Sequence, residues 1–69
     1  MSEKVFQKIE VTGTSSHSLE EAIQNAVARA AQLAKNLRWF EVIETRGSIE
    51  GNKVSQWQVT VKVGFALDE

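Results

Sequence analysis

The stretch Trp57-Gln58-Val59-Thr60-Val61-Lys62-Val63-Gly64-Phe65, WQVTVKVGF, alternates apolar and polar residues without a break. Strand side chains point alternately to opposite faces, so Trp57, Val59, Val61, Val63 and Phe65, with Leu67 beyond, share one face. Gln58, Thr60, Lys62 and Gly64 share the other. A face this apolar has to be covered, and the rest of a 69-residue chain must supply the cover. Just upstream, Glu50-Gly51-Asn52 carries the Gly and Asn of a tight hairpin, so residues 38 to 49 and 53 to 67 read as two paired strands.

Residues 4 to 12 form a third strand, with Val5, Ile9 and Val11 on one face and Phe6, Lys8 and Glu10 on the other. The small polar residues from Gly13 to Ser18 read as a turn, and Ser18 with Glu21 makes the S-x-x-E pattern of a capping box. Leu19, Ile23, Ala26, Val27, Ala30, Leu33, Ala34 and Leu37 then recur at three- and four-residue spacing, the stripe of a helix about 30 Å long. The order is β-α-β-β. It predicts an α+β fold, a three-stranded antiparallel sheet wrapped around one helix, as a single domain over residues 1–69.

A domain this small buries only about 60% of its unfolded surface, and such domains usually add disulfides, a metal or partner subunits. With no cysteine and one histidine, oligomerisation is the option left. Eight Lys and Arg against nine Asp and Glu, spread without runs, provide no basic face for nucleic acid. No apolar run approaches the roughly 20 residues of a membrane span, and there is no signal-peptide pattern, so the chain reads as soluble and cytoplasmic.

The adjacent aromatics of Arg38-Trp39-Phe40-Glu41-Val42 set a second problem. Placing Phe40 and Val42 toward the helix turns Trp39, Glu41, Ile43 and Thr45 outward. Pairing Ile49 with Val54 then sets Trp39 opposite Gly64, Glu41 opposite Lys62, Ile43 opposite Thr60 and Thr45 opposite Gln58. The outer face carries Trp39, Ile43 and Phe6, more apolar surface than a monomer leaves wet, so a subunit or a ligand covers it. Strict alternation also drives Glu44 and Arg46 toward the helix, which predicts a bend at Gly47 that re-aims Arg46 to the rim.

Taken alone, this pattern favours Trp39 as a subunit-interface anchor over a ligand platform. It makes Gln58 a solvated residue and Arg46 a salt-bridge residue with Glu44 or Glu41. Trp57 reads as core or near-core packing. His17 belongs to the helix cap, since no cysteine or second histidine accompanies it, and neither a catalytic nor a metal constellation emerges.

As an ordered set, Lys4-Val5-Phe6, Gly13-Thr14-Ser15, Trp39-Phe40-Glu41-Val42, Arg46-Gly47, Trp57-Gln58-Val59 and Val63-Gly64-Phe65 resemble the dodecins over nearly the whole chain. The resemblance implies a hollow homododecamer that binds, stores and sequesters flavin without catalysis, the ligands lying as stacked pairs between subunits. It implies that Trp39 stacks on the isoalloxazine and quenches its excited state, that Gln58 hydrogen-bonds the ring's polar edge, and that Arg46 meets the phosphate of FMN. Some relatives have an arginine where this chain has Ala66, a second phosphate contact that is missing here and that leaves riboflavin or FAD as alternatives. Some relatives also carry coenzyme A at a separate subunit contact. The competing reading is a structural or regulatory oligomeric module without a cofactor.

Overall fold

The computed structural model describes residues 3–67. Its elements are β1 (Phe6–Ser15), α1 (Leu19–Leu33), β2 (Leu37–Glu50) and β3 (Lys53–Ala66). The three strands form one antiparallel sheet in the order β1-β3-β2. The α+β fold and the β-α-β-β order are those the sequence predicts.

Ser18 caps α1 from an extended conformation, its hydroxyl accepting from the Glu21 N–H at 3.0 Å. The 15-residue helix is about 22 Å long, shorter than the apolar stripe suggests. Ala34 is its extended C-cap, and Asn36 turns the chain with φ 62°. Leu37 opens β2 and still packs against the core, so the stripe outlives the helix because two elements feed one interior. At the other boundary β1 runs on through Gly13, Thr14 and Ser15, which pair with Val59, Gln58 and Trp57. The polar turn is correspondingly shorter.

The core face of α1 is built from methyl groups. Ala22, Ala26 and Ala30 are buried against Val59, Val61 and Val63 of the central strand. A side chain at Gly13 would overlap the Ala22 carbonyl and Ala26, so the glycine admits the helix to β1 at close range. This places α1 over β1 and β3. The β2–β3 hairpin projects beyond it, and the Cα envelope is 56 × 18 × 14 Å. Phe40 and Val42 do face the helix side but lie outside its footprint, 48% and 46% exposed rather than packed beneath it. Trp57 is partly buried against the core, as its place on the last strand suggests.

The register of β2 shifts between Leu37 and Trp39, between Val42 and Glu44, and between Ser48 and Ile49. Each shift adds one residue on one strand and reverses which residues face the helix. Arg38 is the extra residue in the first, and it sets Trp39 opposite Gly64 on the outer face. Ile43 is the extra residue in the second and restores the original phase. The bend predicted at Gly47 is thus divided between this shift, several residues earlier, and the one between Ser48 and Ile49 just after it. Trp39–Gly64, Glu41–Lys62 and Ile49–Val54 pair as the sequence suggests, but Thr60 pairs with Glu44 and Gln58 with Arg46, not with Ile43 and Thr45. Glu44 and Arg46 reach the outer face by this route. A two-residue loop, Gly51 and Asn52 with φ 58° and 65°, closes the hairpin between Glu50 and Lys53.

Gly13→Ala forces a methyl into the helix backbone. It should lower stability by about 1–3 kcal/mol through overpacking, read as a fall in the thermal midpoint with the secondary structure retained.

Candidate functional site

The outer sheet face is laid out in cross-strand rows. One row holds Lys8, Gly64 and Trp39, the next Glu10, Lys62 and Glu41, then Thr12, Thr60 and Glu44, then Thr14, Gln58 and Arg46. Trp39 does not stand away from the sheet. The benzo edge of its indole occupies the space that a Gly64 side chain would fill, so the ring leans over the central strand. Phe6 meets it from the β1 side, with ring centroids 5.4 Å apart and planes at 67°, an edge-to-face pair. Trp39 remains 42% exposed.

Below the indole, Lys8 on β1 reaches across the central strand to Glu41 on β2, Nζ to Oε1 at 2.5 Å. The Lys8 ammonium holds the Glu41 carboxyl below its ordinary value, with smaller coulombic help from Lys62. This crossing pair was not legible until β3 was known to lie between β1 and β2. Thr12 and Thr60 share a hydroxyl hydrogen bond at 2.8 Å in the following row.

Arg46 and Gln58 are neighbours, as the second bulge requires. Arg46 Nε donates to Gln58 Oε1 at 2.8 Å, and Gln58 Nε2 donates to Gln56 Oε1 at 2.8 Å. The side-chain amide of Gln58 is thereby oriented from both ends. Arg46 takes Gln58 as its partner rather than Glu44 or Glu41. Trp39 is six rungs away along β3, counting Gly64 to Gln58, a separation of about 20 Å. Within one protomer the structure brings Arg46 and Gln58 together and keeps both apart from Trp39.

At the start of α1, the Ser15 hydroxyl donates to the Glu21 carboxylate and accepts from the N–H groups of His17 and Ser18, at 2.9 and 3.3 Å. His17 Nδ1 lies 2.8 Å from Glu21 Oε1. The Ser15 hydroxyl first, and His17 second, keep Glu21 below the ordinary carboxylate range. Every hydroxyl and carboxylate in this cluster serves the strand-to-helix turn. Among the described residues no group of three or more His, Cys, Asp or Glu is placed to hold a metal ion, and no helix is long and apolar enough to cross a membrane.

A family model described as Dodecin matches residues 5–68. The chain belongs to the dodecin family. It is 50% identical to a dodecin of Thermus thermophilus over 66 residues, 96% of each chain. Among solved structures, the tt0972 protein of T. thermophilus superposes with a TM-score of 0.91 at 49% identity, covering 97% of this chain and 98% of that one. The Streptomyces davaonensis dodecin gives 0.90 at 44% identity, covering 99% and 100%. Membership supports reading this chain as a small flavin-binding subunit of a dodecameric assembly.

Gly64→Ala should push the indole off the central strand, altering the tryptophan near-UV circular dichroism and costing about 1–3 kcal/mol. A carboxylate with a depressed folded pKa adds stability above its unfolded value and loses it as the pH falls through the folded one. The Lys8–Glu41 pair therefore stabilises at neutral pH and fades below the ordinary value of 4.5. Lys8→Met should flatten the dependence of the thermal midpoint on pH in that acid range.

Proposed function

We propose that this dodecin binds FMN or riboflavin between subunits of a homo-oligomer and sequesters it in the cytoplasm without catalysing a reaction. The observation that carries this reading is the Trp39 indole, seated over Gly64 and left 42% exposed on the outer sheet face. An indole seated over the sheet at Gly64 is a stacking platform for a planar aromatic ring, and a fixed seat reduces the entropy cost of binding. A stacked indole is also an electron donor to an excited flavin, and electron transfer of that kind is the expected route of quenching.

Gln58 suits the polar edge of an isoalloxazine, because its amide presents a donor and an acceptor together. Gln56 and Arg46 settle which end is which. Arg46 uses Nε on Gln58, and its terminal nitrogens suit the phosphate of FMN. With Ala66 buried at the end of β3, no second guanidinium stands there, and Arg46 carries the preference for FMN over riboflavin.

The separation of about 20 Å between Trp39 and Gln58 means that one flavin takes them from different protomers. Binding and assembly are then linked, since a ligand that bridges protomers stabilises the state in which they meet.

Titrating FMN into the purified oligomer and following flavin fluorescence tests the reading. Wild-type protein should quench the emission, and Trp39→Ala should lose quenching and binding while size-exclusion chromatography shows assembly retained. Protein that leaves FMN emission unchanged ends the flavin reading. A Trp39→Ala variant that falls apart supports an interface anchor in a module without cofactor.

A further inference from the structure

We infer that Phe6 is a positioning residue for the stacking platform, holding the Trp39 indole over Gly64 in the one orientation that leaves its outer surface open to a flat ligand. The inference rests on Trp39 being the flavin platform, and it assigns a role to a residue on a different strand, β1. An indole on an edge strand can rotate about its side-chain bonds, and nothing in β2 alone stops it. Gly64 provides the floor. Phe6 provides the wall, its ring 5.4 Å from the indole centroid at 67°.

The backbone shows why Phe6 is held well enough to act this way. Leu67 N donates to Val5 O at 3.1 Å, and Ala66 N donates to Asn36 O at 3.0 Å. The segments that carry Phe6 and Trp39 are thus both fastened to the same dipeptide at the end of the central strand. Phe6 pairs with Ala66, whose methyl group leaves room for the phenyl ring to lean toward Trp39. The Arg38 bulge then brings the indole to that side of the sheet. A long flexible side chain at position 66 would compete for the space Phe6 now uses. Ala66 therefore has a consequence beyond a lost phosphate contact, because it favours ring stacking as the chief source of affinity.

The test compares Phe6→Leu, which removes the ring and keeps an apolar side chain, with Phe6→Tyr, which keeps the ring. Trp57→Phe serves as the background, so that Trp39 is the sole emitter of the chain's two tryptophans. Two readouts are needed: the fluorescence anisotropy of Trp39 without ligand, and the Kd for FMN. Phe6→Leu should lower the anisotropy and raise Kd by about three- to tenfold, the range expected for one aromatic pair. Phe6→Tyr should restore both, with assembly and thermal midpoint close to the parent. If Phe6→Leu does not assemble, Phe6→Met takes its place with the same expected outcomes. An unchanged anisotropy, or an unchanged Kd in a protein that binds FMN, overturns the inference. A parent that does not bind FMN at all sinks the flavin reading instead, and the anisotropy alone then decides whether Phe6 orients the indole.

Discussion

The close approach of α1 to the sheet governs what the rest of the molecule can do. A helix that presents Ala22, Ala26 and Ala30 to a row of valines sits nearer the strands than one carrying leucines, and Gly13 removes the last obstacle on β1. The gain is a dense interior from few residues, as a small domain requires. The consequence is narrow coverage. A single helix covers two strands, and Phe40 and Val42 of β2 stay half exposed on the same face. A strand covered on this scale suits a subunit of the assembly that membership in the dodecin family supports.

The same strand solves a problem of phase. An uninterrupted β2 would either bury Trp39 or turn Glu44 and Arg46 inward. Two extra residues, Arg38 and Ile43, let the strand change phase before Trp39 and again after Val42, so that indole, guanidinium and carboxylates all end on the outer face. Bulges of this kind weaken a ladder locally, and β2 carries them beside Trp39 and Arg46. Position along the strand is thereby decoupled from the face a residue occupies.

Much of this was legible in the chain. The alternation of Trp57 to Phe65, the capping pair Ser18 and Glu21, and the turn at Gly51-Asn52 each have a local cause, and each element is found where it was read. The seat of Trp39 opposite Gly64 was legible too, because the hairpin loop sets the register and the shifts at Ser48/Ile49 and at Ile43 offset each other before Trp39 is reached. The end of α1 was not, since the apolar spacing continues through Lys35-Asn36 into Leu37. Nor was the second bulge, for Ile43 looks like any strand residue and only the burial cost of Glu44 and Arg46 betrays a fault in phase. Gly13 passed as a turn residue because its role depends on a helix one element away. The partnership of Lys8 with Glu41, and of Phe6 with Trp39, depends on strand order, which alternation alone does not specify.

Two facts about surface and distance then bear on each other. The protomer leaves its helix-side apolar residues on β2 half exposed, and it keeps Trp39 about 20 Å from the Arg46–Gln58 pair. The first favours neighbours for stability, and on the proposed flavin reading the second calls for neighbours to complete the site. Because the same strand carries both demands, a contact that buries Phe40 on one face also constrains where Trp39 lies on the other. Assembly therefore does more than enlarge a marginal core. On the flavin reading proposed above, it brings one chain's indole toward another chain's amide, so that affinity for a flat ligand becomes a property of the oligomer, and a change confined to the interface alters the site without touching any residue that meets the ligand.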